Sequence, residues 1–410
     1  MTDGTRLTTL TARWSRRLRP ALGRARGPDV VVRAQVKGAA VDNNKVKALM
    51  ARARREVDDG LLPSCQLALA RHGEIVAAAT FGEASDDSRY LAWSVAKGVT
   101  ASAAWALFSE GRLDPEAPVA SYLPGFGDNG KEAVTVEHLL LHTAGFPLAP
   151  LAPDEWGSSQ SRRRAFSRWR LEWPAGTRYA YHPVSSYWVV AELIETLGGE
   201  DYRAFLHHRV LDRLGLTRLR LGEDPDRQSD VVDMVLAGEP AAPGEHVAAG
   251  LPAPPDGDLS MDPFALALND PGARAIGIPA GGLIGTASDI ALYYQALLRP
   301  PDEVWDPAVI ADATSVIRNR LADPSRDGIP ANRTRGLVVA GDDGYGWLRM
   351  WFGRSVSPRT FGHDGAYGQV AWADPVSGLS FSYVTNGLDR NTARHSVRAI
   401  ELSTLAGACA

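Results

Sequence analysis

Apolar and polar positions change rhythm several times along the chain. "NNKVKALMARARREVDDG" has the helical rhythm, with Gly60 as its stop. "CQLALARHG" and "EIVAAATFG" are short strand-like runs joined by a turn at His72-Gly73. "LAWSVAKGVTASAAWALF", residues 91 to 108, predicts an apolar helix ending near Gly111. From there to about residue 220 the patterns are mostly helical: "VTVEHLLLHTAG", "SRRRAFSRWRL", "SSYWVVAELIETLGG" and "DYRAFLHHRVLDRLGL". Residues 222 to 275 are rich in Pro, Gly and Asp and read as a long loop or lid. "TASDIALYYQALL" predicts another helix, with Thr286 in the N-cap region and Asp289 in the first turn. The last third returns to strands in "GYGWLRMWF", "RTFGHDG", "GQVAWADP" and "LSFSYVTN", punctuated by Asp374-Pro375 and Gly378. A final helix is expected from Thr392 to Leu405.

Early strands, a central helical block and late strands predict an α/β protein of the α+β kind. One antiparallel sheet would be closed by both chain ends and flanked by the N- and C-terminal helices. Residues 41–90 and 276–410 would form the sheet subdomain. Residues 91–275 would be an inserted, mostly helical subdomain carrying the lid at 222–275. A site is expected between the two.

Composition narrows the picture. At 410 residues and 45% hydrophobic, the chain can bury a core large enough for two such parts. A net charge of −4 implies no polyanionic partner, and the scattered tryptophans make no stacking platform for nucleic acid. Cys65 and Cys409 cannot build a disulfide framework; Cys65 reads as a small buried hydrophobe and Cys409 as a stray terminal thiol. No apolar run approaches the ~18 residues needed to span a bilayer. Residues 1–40 hold nine basic residues and two acids, with Leu7, Leu10, Trp14 and Leu18 at near-helical spacing. That segment is either a disordered tail or a basic amphipathic helix making weak contact with a membrane surface or partner. It lacks the continuous apolar stretch of a signal peptide, so a cytoplasmic location is expected. Nothing in the sequence speaks to the oligomeric state.

Charge usage points to chemistry. Five lysines stand against 39 arginines, so ordinary surface charge here is arginine. Lys97 nevertheless sits in an apolar helix, three residues after Ser94. A desolvated lysine can become a neutral amine, which arginine cannot. On a helix, residues three apart share a face, so the amine could take a proton from the serine hydroxyl. The Ser-x-x-Lys tetrapeptide alone is short enough to arise by chance and needs partners. His138 and His142 in "HLLLH" have zinc-helix spacing but lack the glutamate of a metalloprotease helix, so no metal is expected. There is no glycine-rich phosphate loop and no G-x-S-x-G elbow, and no cofactor is expected.

The partners come as ordered blocks. "WSVAKG", "VTVEHLLLHTAGF", "PAGTRYAYHPVSSYWVVAELIE", "IPAGGLIGTASDIALYYQALL" and "FGHDGAYGQVAWADPVSGLSFSYVTN" resemble, in order from about residue 45 to 400, the signatures of the serine β-lactamase and penicillin-binding protein superfamily. The resemblance is on the class C side and closest to the family VIII carboxylesterases. It implies a β-lactamase/transpeptidase-like fold, with Ser94 as nucleophile, Lys97 as its proton partner and Tyr181 as a general base or acid. An adjacent ammonium would be expected to lower the Tyr181 phenol. "HDG" occupies the place of the family's lysine-threonine-glycine strand. The resemblance therefore assigns substrate binding to His363, Asp364, Gly365 and His182, and an oxyanion hole to the N–H groups of Ser94 and Ala366.

Two departures bear on substrate. His363 replaces a permanent cation, and Tyr181-His182-Pro183 lacks the asparagine amide that the motif usually carries. Both weaken β-lactam recognition and favour a small-molecule ester. The alternatives are β-lactamase or D,D-peptidase activity, acyl transfer to an alcohol or amine, and a non-catalytic, assembly-forming member of the fold.

Overall fold

Strand β1 (Ser64–Arg71) is apolar at most positions because both of its faces are covered. Cys65, Leu67 and Leu69 enter one core, Ala68 and Ala70 the other. Strand β2 (Glu74–Gly82) pairs with it through a turn where His72 has φ 54° and Gly73 φ 82°. These coordinates are a computed structural model, which describes residues 41–252 and 261–410; the basic segment 1–40 and its expected contacts lie outside the described residues.

The later strands are β3 (Tyr90–Leu91), β4 (Arg220–Leu221), β5 (Val235–Ala237), β6 (Leu283–Gly285), β7 (Val338–Val339) and β8 (Phe361–Gly365). They are followed by β9 (Gln369–Asp374), β10 (Leu379–Thr385) and β11 (Gly387–Asp389). The main sheet runs β2-β1-β10-β9-β8-β7 with every neighbouring pair antiparallel. Strands from both chain ends thus close one sheet, as the alternation of patterns predicts.

Helices Asn43–Asp58 and Thr392–Gly407 cover one face. Val46, Leu49, Leu402 and Ala406 pack there against Leu67, Leu69, Trp372 and Phe381. Each large side chain so buried contributes about 1.5–3 kcal/mol. These two helices are tied where Asp42 N–H, at the start of the first, donates to Cys409 O at 3.0 Å and Arg398 Nε to Glu56 Oε2 at 2.7 Å. Cys409 is therefore packed rather than stray, and burial pushes both thiols up to about 12. On the other face lies helix Ala287–Leu298, started by the Thr286–Asp289 capping box. Small Ala68 and Ala70 let it approach, and Gln295 Nε2 donates to Ala70 O at 3.0 Å.

Three sequence expectations differ from the structure. "GYGWLRMWF" is no strand: Arg349 folds inward to Pro330 O at 2.8 Å and Asp343 Oδ1 at 2.7 Å, and the chain turns at Met350 and Trp351 with φ 47° and 57°. Buried polar contacts override the alternation there. In "VTVEHLLLHTAG" only Val136–Leu140 is helical, because His142 takes φ 57°. The expected loop or lid is more built than its composition suggests. Arg89 ties its start through Glu223 at 2.6 Å and Asp230 at 2.7 Å, β5 pairs in parallel with β11, and Asp262–Ala267 is helical. Among the described residues no helix is long and apolar enough to cross a membrane.

Candidate active site

A small sheet, β3-β6-β4, delivers Ser94. Tyr90 and Leu91 pair with Gly285 and Ile284, and Ala92 N–H donates to Leu283 O at 2.8 Å. The chain then turns sharply at Trp93, φ 52°, through the short helical turn Trp93–Val95 into helix Ala96–Ser109. That helix is buried on nearly all sides, which accounts for its continuous apolar sequence.

Lys97 is fully buried within it. Its Nζ lies 3.1 Å from Ser94 Oγ, 2.8 Å from Pro183 O and 3.1 Å from Ala280 O. Burial, and secondarily the nearby Arg333 guanidinium, hold the amine well below its ordinary value despite Asp364. Tyr181, partly exposed, presents its ring 4.9 Å from Lys97 Nζ and shares a hydrogen bond with Ser94. Its phenol is pushed up, first by desolvation and then by the Asp364 carboxylate, which outweigh Arg333 and the Ser94 bond. This corrects the expectation of a phenol lowered by an adjacent ammonium: the phenol is raised and the amine is the group that is lowered.

The third motif lies on β8. His363 is fully buried, donates from Nδ1 to Asp364 O at 2.7 Å, and faces Arg333 Nη1 with Nε2 at 3.4 Å. Desolvation keeps it below the usual histidine value, so it is neutral near pH 7. Asp364 pairs with Arg326 at 3.6 Å. Gly365 serves the protein's own packing: a Cβ there would sit 2.6 Å from Ala92 O, so its absence brings β8 against the nucleophile turn. Ala366 opens the following turn, where Tyr367 takes φ 62°. His182 stands apart from the expected substrate-binding set. It is buried, donates from Nδ1 to Ala180 O at 2.6 Å and accepts Phe146 N–H on Nε2 at 3.3 Å, and burial lowers it to about 4. It braces the loop that carries Tyr181 and Pro183.

Two further residues adjoin the site, His142, noted in the sequence only for its spacing from His138, and Arg333, which carried no sequence signal. Buried His142 accepts His182 N–H on Nδ1 at 3.0 Å and lies 4.8 Å, ring to ring, from Tyr181. Arg333, also buried, donates from Nε to Tyr179 Oη at 3.0 Å. His138 caps its own helix, its Nδ1 accepting Thr135 N–H at 3.2 Å. Among the described residues no cluster of potential ligands could hold a metal.

Residues 43–406 match the family described as Beta-lactamase. Esterase/beta-lactamase LipL of Mycobacterium tuberculosis is 29% identical over 322 residues, covering 74% of this chain and 70% of that protein. A penicillin-binding protein homolog from Caulobacter crescentus superposes with TM-score 0.72 at 24% identity, over 93% of this chain and 100% of that one. A family VIII carboxylesterase superposes with TM-score 0.71 at 23% identity, over 90% and 98%.

Proposed function

The chain belongs to the beta-lactamase family and is a serine hydrolase, and on that premise we propose that it cleaves carboxylic esters through an acyl-enzyme on Ser94. The contacts of Lys97 support this reading most. A neutral amine has two N–H donors and one lone pair. Pro183 O and Ala280 O can only accept, so they take both donors. In that neutral form the lone pair is left facing Ser94 Oγ, 3.1 Å away, and can accept its O–H. Lys97 is thereby a base in place before substrate arrives.

As Ser94 Oγ bonds to the ester carbonyl carbon, its proton passes to Lys97. The N–H groups of Ser94 and Ala366 receive the oxyanion. Tyr181, still protonated, gives its proton to the departing alkoxide as the carbon–oxygen bond breaks. A proton from Lys97 then restores the phenol. Water repeats the cycle and releases the acid; an alcohol taking its place would make the reaction an acyl transfer.

Substrate choice follows from the departures. Neutral His363 offers no fixed charge to a β-lactam carboxylate, and Pro183 no side-chain amide. LipL is named both esterase and beta-lactamase, which supports a weak lactamase activity as the second reading. A panel of p-nitrophenyl esters of graded chain length, run beside nitrocefin, tests the choice. Ester turnover exceeding nitrocefin turnover is expected; the reverse order would favour a lactamase.

A further inference from the structure

Arg333 is a fully buried guanidinium that forms no ion pair with a carboxylate among the described residues. Isolating a cation in this way destabilises a fold, and such a group persists where something else uses its charge. Its hydrogen-bond and ring contacts are with uncharged groups, while the Asp364 carboxylate, paired with Arg326, feels its charge from beyond ion-pair distance. Nε donates to Tyr179 Oη at 3.0 Å, Nη1 faces His363 Nε2 at 3.4 Å, and the guanidinium carbon lies 5.6 Å and 5.3 Å from the ring centroids of Tyr179 and Tyr181. Nη2 has no hydrogen-bond partner among the described residues.

We propose that Arg333 is a positioning residue for Tyr181, supplying the fixed positive charge against which the tyrosine releases its proton to the leaving alcohol. The inference rests on the acyl-enzyme reading above. In that sequence Tyr181 becomes a phenolate as the alkoxide departs, the proton moving from Oη to the leaving oxygen while the carbon–oxygen bond breaks. The ammonium of Lys97 exists only during the reaction, and His363 is neutral where the family's motif carries a cation. Arg333 is charged throughout, because a guanidinium keeps its proton in proteins. It is already desolvated and held by Tyr179, so no reorganisation is needed when the phenolate appears.

The test compares leaving groups. p-Nitrophenolate departs without a proton, whereas ethoxide needs one. For Arg333→Gln, kcat/KM on an ethyl ester should fall about 100-fold, against less than about threefold on the p-nitrophenyl ester of the same acid. Arg333→Lys should restore part of the loss. Equal losses on both esters would mean a structural role and would overturn the proposal, as would no loss on the ethyl ester. Should Arg333→Gln fail to fold, Tyr179→Phe removes only the acceptor that aims Nε. It should give a smaller loss confined to the ethyl ester, and an equal or absent loss would again overturn the proposal. Fluorophosphonate labelling of Ser94 in the unmodified protein separates the two ideas. Without it the acyl-enzyme reading itself fails; with it, the leaving-group result judges Arg333 alone.

Discussion

The rings of Trp93 and Tyr367 meet with centroids 5.5 Å apart, and both residues hold positive φ, 52° and 62°. One precedes Ser94 and the other follows Ala366, so each strained residue adjoins one proposed oxyanion donor. Bulky residues adopt this backbone at a penalty of about 1–3 kcal/mol. Tyr367 is further tied by its hydroxyl, which donates to Asp262 at 3.1 Å. Replacing Tyr367 with Ala frees the turn. Steady-state kinetics on a p-nitrophenyl ester should show kcat down roughly tenfold to a hundredfold with KM changed far less. A change in KM alone would place the pair in substrate binding.

Acidity should switch the enzyme off from one side. Lys97 is held below its ordinary value by desolvation and Arg333, and only its unprotonated form has a lone pair for Ser94. kcat/KM is therefore expected to fall as pH drops through that depressed value. Asp364 favours the ammonium. In Asp364→Asn the amine should lose its proton more easily, moving the acid limb to lower pH by less than about one unit. A pH–rate profile checks both, and a limb moving upward would contradict the assignment.

Gly365→Ala should act on packing at the site. A Cβ there lies 2.6 Å from Ala92 O, a backbone atom that cannot swing aside. Urea unfolding is expected to show a loss of about 1–3 kcal/mol, with activity falling further than stability alone explains.

Helices Asn43–Asp58 and Thr392–Gly407 are joined by a buried charge cluster. Arg398, fully buried, reaches Glu56 at 2.7 Å and also pairs with Asp389. Arg398→Met takes one guanidinium from two carboxylates that each keep another partner, Glu56 with Arg52 and Asp389 with Arg394, and denaturant titration should show about 1–3 kcal/mol lost. Burial raises the Asp389 carboxyl, but Arg394 and Arg398 outweigh it and hold the group below its unfolded value. Its contribution is thus present above that value and disappears as pH falls through the depressed one.

Much of this was legible in the sequence because the informative features are local. The Thr286–Asp289 cap, the His72-Gly73 turn and the lysine inside an apolar helix are each written within a few residues. Ser94, Lys97 and Tyr181 stand in ordered blocks, and the structure brings them together. Arg333 was hidden because its neighbours are remote in sequence: one arginine among 39 carries no local mark of burial. His142 was visible only through its spacing from His138, whereas its contacts are with distant His182 and Tyr181. The tie of Arg89 to Glu223 and Asp230, and the inward fold of Arg349, are likewise long-range or turn-borne contacts that composition and alternation cannot register. His182 shows the opposite case: it adjoins Tyr181 in sequence, yet its ring turns to the backbone of Ala180 and Phe146.

Mass spectrometry of protein quenched during turnover of a slow ester tests the serine–amine pair most directly. An acyl group is expected on the peptide carrying Ser94, with adduct formation abolished in Ser94→Ala and slowed on the order of 1,000-fold in Lys97→Met. An adduct on another residue, or undiminished turnover by Ser94→Ala, would contradict it.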